Sequence, residues 1–252
     1  MADAIIFLGS GGARIVVFKQ IRASGGIWFS LQGTNLLVDP GPGSLVRIIS
    51  SKHKLDPTQL DGILLSHSHL DHSGDVNIMI EALTTGGTKK RGVLFCPREA
   101  IEGEDPVVFK YLRSYLEKIV ILQEKGEYEI KGVKFSCPIR HRHRGETYGF
   151  KFETERAKIS YIADTKYFPE LIPAYQADIL IMNVVREKPS ELDHLSLTDA
   201  KNLILGIRPK VAFLTHFGMT MIKNKPWILA EELTKETGIE VIAASDGMKY
   251  EL

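Results

Sequence analysis

The sequence predicts a layered α/β fold, with two β-sheets packed together and helices on the outside. Three observations predict it. Short apolar runs bounded by Gly, Pro, Asp and Asn crowd the first forty residues and read as strands in close succession. The last third alternates apolar runs with segments of helical spacing. Between them lie paired runs joined by turn residues, which read as hairpins.

Taken in order, AIIFLG (4–9), RIVVF (14–18), GIWFSL (26–31) and NLLVD (35–39) read as four strands, with a turn at QGTN (32–35). GSLVRIISSKH (43–53) reads as a short helix, and GILLS (62–66) as a buried strand. DVNIMIEALTTGG (75–87) has helical spacing and stops at glycines. GVLFC (92–96) is a strand. PVVFKYLRSYLEK (106–118) predicts a helix, with apolar residues at Val107, Tyr111, Leu112, Tyr115 and Leu116. YEIKGVKFSCPI (128–139) predicts a hairpin turning at Lys131-Gly132, and TYGFKFET (147–154) with AKISYIAD (157–164) a second one. DILIMNV (178–184) is a strand. SLTDAKNLILGI (196–207) is a helix whose capping Ser196 is matched by Asp199 three residues on. VAFLTHF (211–217), a helix near 226–236, EVIAAS (240–245) and MKYEL (248–252) complete the chain. Its 252 residues fit one domain, 1–252.

Hydrophobic residues make up 44% and charged residues 25%, an ordinary globular composition. The formal charge of +1, from 32 basic and 31 acidic residues, gives no general drive toward nucleic acid or an anionic membrane. No extended nucleic-acid surface is therefore expected, and nothing sets an oligomeric state. Cys96 and Cys137 are too few for a disulfide framework and read as buried or half-buried thiols in strands. The first apolar run is short, ends in glycines and follows no basic segment, so it does not read as a signal peptide. No apolar run approaches the roughly 18 residues that a membrane span needs. A cytoplasmic location is expected.

The chemistry concentrates in SHSHLDHSGD (66–75), which holds His67, His69, Asp71, His72 and Asp75. The stretch follows a buried strand and precedes a helix, so a short loop would aim several side chains into one cavity. Imidazole nitrogen and carboxylate oxygen suit zinc, and also iron or manganese. One tetrahedral ion cannot take all of these donors, so the spacing favours two adjacent metals completed from elsewhere. His143, His194 and His216 stand at strand ends or in loops, and Asp164 ends KISYIAD. Polar residues at the carboxyl ends of strands are well placed for a shared site. His141 competes with His143 two positions away, while His53, in SSKHK, reads as a solvated surface residue. Ser66, Ser68, Leu70 and Ser73 gain no chemical role, and Asp75 is a candidate for holding the loop.

GSGG (9–12) lacks the G-x-G-x-x-G spacing followed by a helix and reads as a strand-connecting turn rather than a phosphate cradle. Arg140, Arg142 and Arg144 could receive a phosphate or simply form a solvated face. Tyr148 reads as a buried aromatic, with pocket lining as the rival. Segment 97–118 reads as an ordinary connection, with a lid as the rival.

On these residues the chain resembles the metallo-β-lactamase-fold hydrolases. The H-x-H-x-D-H signature is His67, His69, Asp71 and His72. LLVDPG resembles the family's strand ending in an aspartate, here Asp39; HRGETYGF points to His143, YIADT to Asp164 and LTHFG to His216. DHLSLTDA resembles a segment that carries a further active-site histidine in the phosphodiesterase branches, here His194. The resemblance runs from about residue 4 to 252 and implies an αβ/βα sandwich of four layers with two mixed sheets. It implies two divalent metal ions, zinc foremost with manganese or iron as alternatives. One ion would be held by His67, His69 and His143, the other by Asp71, His72 and His216, with Asp164 bridging them. A hydroxide between the ions would be the nucleophile. Asp71 and His194 are the catalytic candidates, His194 contacting substrate or protonating the leaving oxygen. Asp39 would orient a ligand.

The same resemblance bears on substrate. β-Lactamases and hydroxyacylglutathione hydrolases generally lack the His194 segment, which favours a phosphodiesterase. Ribonuclease Z, which trims tRNA 3′ ends, usually carries a long flexible arm between the third histidine and the bridging aspartate; here 21 positions separate His143 from Asp164. Related cyclic-phosphate phosphodiesterases share the compact spacing but usually add a cysteine-rich zinc site, which two cysteines cannot build. The expectation is a metal-dependent hydrolase acting on a small or nucleotide-like phosphodiester. Thioester or lactone hydrolysis on the same metals, tRNA 3′-end processing without the arm, and a non-enzymatic binding module are the alternatives.

Overall fold

In the computed structural model, which describes residues 3–24 and 26–252, every described strand belongs to one of two sheets. In chain order the first half runs β1 (Ala4–Phe7), α1 (Arg14–Phe18), β2 (Ile27–Leu31), β3 (Thr34–Val38), α2 (Ser44–Ile49), β4 (Gly62–Leu64), α3 (Leu70–Ser73), α4 (Val76–Leu83), β5 (Val93–Cys96) and β6 (Lys118–Ile121). The second half runs β7 (Gly126–Ile130), β8 (Val133–Cys137), β9 (Phe150–Glu153), β10 (Lys158–Ile162), α5 (Leu171–Ala174), β11 (Ile179–Arg186), β12 (Leu195–Ser196), α6 (Leu197–Ile207), β13 (Val211–Thr215), α7 (Met219–Lys223), α8 (Pro226–Thr237), β14 (Glu240–Ala243) and β15 (Met248–Glu251).

The first sheet is ordered β15-β1-β2-β3-β4-β5-β6, antiparallel from β15 to β3 and parallel from β3 to β6. The second is ordered β14-β13-β11-β10-β9-β8-β7, with β12 beside β11; it is antiparallel from β7 to β10 and parallel beyond. Both sheets are therefore mixed, as expected. The hairpin turns are local products of sequence. Gln32-Gly33 and Lys131-Gly132 all have positive φ, the requirement of a two-residue turn that matches strand twist.

Strand periodicity distributes the core. On β1, Ile5 and Phe7 face the other sheet, whereas Ile6 and Leu8 face the helices. The inter-sheet core is aromatic: Phe7 meets Phe213 at 5.4 Å and Phe29 meets Phe152 at 5.0 Å, each pair spanning the two sheets. On one outer face Ile48 and residues Met79, Ile80 and Leu83 of α4 cover the first sheet. On the other, Leu203 and Ile204 of α6 and Leu229 and Leu233 of α8 cover the second. The capping box at Ser196 and Asp199 is present, and both cysteines are buried and unpaired.

Two expectations are corrected. RIVVF forms the helical turn α1, not a strand. Both edges of β1 are already taken by β15 and β2, so no ladder was open to it, and only Val16 of the run is buried. Segment 106–118 is not a helix: a 3₁₀ turn covers Lys110–Tyr115 and a strand begins at Lys118. The Asn77 side chain takes the Val107 carbonyl and the Phe109 N–H, and the Arg113 guanidinium takes the Val108 carbonyl. Those groups are thereby removed from a helical ladder. The segment packs Val108, Leu112 and Leu116 into the core, as a connection does rather than a lid.

Candidate metal centre

The carboxyl ends of the parallel strands of both sheets meet at one rim. From the first sheet, β3 leads into Asp39 and β4 into the 66–75 loop. From the second, β10 leads into Asp164 and β13 into His216, while His143 precedes β9 and His194 precedes β12. Asp39 and His216 both have left-handed backbones, with φ of 51° and 59°. Such strain away from glycine clusters where surrounding structure holds a side chain to a task. Ala13, also at positive φ, turns its N–H onto Asp71 Oδ2 at 3.2 Å.

Four overlapping sets of side chains each bring their donor atoms within 4.8 Å of one another: His67, His69 and His143; His67, His72 and Asp164; Asp71, His72 and His216; and His143, Asp164 and His194. His69 Nδ1 lies 3.0 Å from His67 Nε2 and 3.2 Å from His143 Nε2. Nitrogens held by one tetrahedral zinc at about 2.0–2.1 Å stand about 3.3 Å apart, so the triangle has the right size. His216 Nε2 lies 3.3 Å from Asp71 Oδ2, and His72 Nε2 lies 3.5 Å from Asp164 Oδ2. The Asp164 carboxylate also meets His194 Nδ1 at 3.3 Å and His216 Nδ1 at 3.5 Å.

Hydrogen bonding leaves these atoms wanting. His72 Nε2, His194 Nδ1 and both ring nitrogens of His216 are buried without a hydrogen-bond partner. Orphaned buried polar atoms are rare, and an ion explains a cluster of them. Charge agrees. Burial, with His72 beside it, drives the protonation of His67 well down, and burial does the same more mildly for His69 and His143. Neutral imidazole is the ligating form. Burial alone would raise the carboxyls of Asp71 and Asp164; His72 and His216 instead hold both below the usual carboxylate range. Burial likewise opposes charge on His72 and His194, yet Asp164 and its fellow carboxylates raise both. Several buried anions thus call for positive charge, which bound cations supply more strongly than protons do.

The supporting groups set ring orientation. Asp39 Oδ2 accepts from His72 Nδ1 at 3.0 Å, which leaves His72 Nε2 to face the cluster. The Asp193 carbonyl does the same for His143 through Nδ1 at 2.8 Å. Ser66 has a role the sequence did not suggest: its N–H and hydroxyl both donate to Asp39, and its oxygen lies 2.9 Å from His67 Nδ1. Asp75 does hold the loop, taking the Leu45 N–H while its own N–H donates to the Pro40 carbonyl. Tyr161 and Asn183, each a polar residue inside an apolar strand, were not singled out from the sequence.

Of the two rival histidines, His143 reaches the cluster. His141 is buried instead against the Tyr175 hydroxyl at 2.8 Å, and burial pushes its pKa down to about 3. His53 is half-buried and tied to the Gly247 carbonyl rather than solvated. The GSGG turn lies directly under His216, where a Cβ on Gly12 would stand 2.1 Å from the ring. Arg142 stacks on Phe168 and pairs with Glu170, and Arg140 donates to the Gly145 carbonyl. Tyr148 is a buried aromatic. Among the described residues, no helix is long and apolar enough to cross a membrane.

Comparison with known proteins agrees with this architecture. Residues 34–217 match the beta-lactamase superfamily domain. An uncharacterized protein of Methanocaldococcus jannaschii is 37% identical over all of this chain and 96% of its own length. Ribonuclease Z of Borreliella burgdorferi is 23% identical over all of this chain and 97% of its own. Its alignment runs over 316 positions against the 252 residues here, so it carries segments that have no counterpart in this chain. Among solved structures, the metallo-beta-lactamase fold protein YhfI from Bacillus subtilis superposes with a TM-score of 0.83 at 20% identity, covering both chains fully. A diphosphatase from the PhnP family gives 0.73 at 20% identity, covering all of this chain and 98% of that one. The short form of human tRNase Z gives 0.68 at 18% identity, covering 98% of each.

Proposed function

The chain belongs to the beta-lactamase superfamily, and from that premise we propose that it is a dinuclear metal-dependent hydrolase of small or nucleotide-like phosphodiesters. The observation that carries the reading is the convergence of six histidines and two aspartates from both sheets on one rim, with buried ring nitrogens left unpartnered. Divalent ions bound there, zinc foremost, would polarise a phosphoryl oxygen and lower the pKa of water at neutral pH.

The chain's own residues divide the work. His67, His69 and His143, kept neutral by burial, would hold one ion. Asp71, His72 and His216 would hold the other, and Asp164, whose two oxygens face different histidines, could serve both. His194, half-buried with 21% of its side chain exposed, stands beside Asp164, where it can donate a proton to the leaving oxygen. The choice of a small phosphodiester is supported by the short His143–Asp164 connection and by the PhnP-family diphosphatase among the structural neighbours. A second reading, tRNA 3′-end processing, is favoured by the full-length match to ribonuclease Z, and opposed by the segments this chain lacks.

The test is metal analysis joined to a substrate panel: an aryl phosphodiester, a dinucleotide, a precursor tRNA, a thioester and a lactone. Two ions per chain and preferred turnover of the small phosphodiesters are expected, with activity lost in His67→Ala and Asp164→Ala. Equal turnover by the wild type and both variants sinks the reading, and preferred turnover of precursor tRNA replaces it with the second.

A further inference from the structure

Two strands carry large polar side chains in buried positions: Tyr161 in KISYI of β10 and Asn183 in ILIMNVVR of β11. Both are about 2% exposed. Burying such groups is costly unless every donor finds an acceptor, so an apolar residue would be the cheaper occupant of either position. Their hydrogen bonds account for their presence.

The Asn183 amide nitrogen has two hydrogens and two partners, Asp164 Oδ1 at 2.9 Å and the Tyr161 hydroxyl oxygen at 3.1 Å. The Tyr161 hydroxyl in turn donates to Asp39 Oδ2 at 2.9 Å. Asp39 belongs to the first sheet and orients His72 through Nδ1. A single relay therefore runs from Asp164, through Asn183 and Tyr161 on the second sheet, across the inter-sheet core to Asp39 and His72 on the first. His72 Nε2 then returns to within 3.5 Å of Asp164 Oδ2. Asn183 also lies opposite Thr215 in the β11–β13 register, the residue immediately before His216.

We infer that Asn183 and Tyr161 are positioning residues of the metal centre: Asn183 fixes the Asp164 carboxylate, and Tyr161, through Asp39, fixes His72. The inference rests on the reading of this cluster as a two-metal site. The relay answers a problem specific to this architecture. The donors of each ion come from both sheets, and the aromatic core between the sheets packs without direction. Directional hydrogen bonds across that core set the ligands of one sheet against those of the other. An amide suits position 183 because it donates twice without charge; a carboxylate there would face Asp164 at hydrogen-bond distance.

The test compares Tyr161→Phe and Asn183→Leu with Tyr175→Phe. The last removes another fully buried tyrosine hydroxyl from another histidine, His141, outside the four ligand sets. Zinc affinity is measured for each equivalent by competition with a chromophoric chelator, and the melting temperature of each metal-free protein by circular dichroism. Losing a group that orients a metal ligand typically weakens binding by about 10- to 100-fold. Such a loss is expected in the second zinc equivalent for Tyr161→Phe and in both equivalents for Asn183→Leu. Tyr175→Phe should bind as the wild type does. Wild-type affinity in both relay variants overturns the inference, as does equal weakening in Tyr175→Phe, which would mark a general loosening of the core. Should Asn183→Leu fail to fold, the milder Tyr161→Phe decides alone. A wild type that binds no zinc overturns the metal-centre reading itself, an outcome distinct from two tight equivalents that the relay variants leave untouched.

Discussion

Gly12→Ala tests how the second ligand set is built without touching a ligand. A Cβ at position 12 would stand 2.1 Å from His216 Nδ1 and 2.3 Å from Cγ and Cε1, far inside ordinary contact distance. Relief by separating the two segments is blocked, because the Gly12 N–H donates to the Phe217 carbonyl and the Phe217 N–H to the Ser10 carbonyl. The His216 backbone already sits at a positive φ of 59°, which leaves little room to adjust there. The ring itself must turn away from Asp71 and Asp164. Overpacking of this kind costs about 1–3 kcal/mol. Charged against metal binding at about 1.4 kcal/mol per tenfold, it weakens the second equivalent by about 5- to 150-fold. The first equivalent should hold, since His67, His69 and His143 lie away from Gly12. Calorimetric zinc titration against a competing chelator reads both steps, and phosphodiester turnover should fall with the second. The double variant Gly12→Ala/His216→Ala should be no worse than His216→Ala alone, because the methyl then meets no ring. Two equivalents bound by Gly12→Ala with wild-type affinity would refute the reasoning.

Three further outcomes follow from the packing and the charges. Phe29→Ala removes a fully buried ring that meets Phe152 across the two sheets and should cost about 3–5 kcal/mol in urea unfolding; a loss below 1 kcal/mol would mean that the sheets repack without it. Burial pushes the Cys96 thiol up to about 12 and raises Cys137 further from its ordinary value. Neither should therefore react with a disulfide reagent at pH 8 until denaturant is added, when both should, as a spectrophotometric thiol count would register. Zinc at about a hundred times its dissociation constant should add about 2.7 kcal/mol per site. That is a rise of about 5–10 °C in melting temperature for a chain of this size, reversed by chelator.

What was legible in the sequence was local. The Lys131-Gly132 turn and the Ser196–Asp199 capping box depend on neighbours within a few positions, and both are where the sequence places them. The 66–75 loop, Asp164 and His216 were legible because each follows an apolar run, where a strand must stop and a side chain can face a shared cleft; His143 and His194 lie in polar stretches and were picked out by their motifs. RIVVF misleads because its β-branched residues favour a strand, while β1, the strand it follows, is already paired on both sides by β15 and β2. The 106–118 stretch misleads because its helical spacing is real, but Asn77, thirty positions away, captures its backbone. Tyr161 and Asn183 stayed hidden for the same kind of reason. In one dimension they are ordinary polar residues in strands; Asp39, which takes the Tyr161 hydroxyl that Asn183 supports, becomes a neighbour only once two sheets face each other.

That facing also explains why the centre lies at the rim rather than deeper. Two carboxylates, Asp39 and Asp164, are withdrawn from water here and a third, Asp71, is half-buried, and isolated buried charges are not tolerated in an apolar interior. Asp39 is satisfied wholly by the protein, with donors from Ser66, Tyr161 and His72. Asp71 and Asp164 are not: each takes one protein donor, the Ala13 N–H and the Asn183 amide, and otherwise faces histidines whose own nitrogens remain unpartnered. The division separates scaffold from site. The carboxylate with a complete set of donors ties the sheets together whether or not an ion is bound. The two with incomplete sets are the ones a cation would complete. Removing metal should therefore unsettle Asp71, His216 and His194 first, while the Asp39 relay and the aromatic pairs behind it keep the sheets in register.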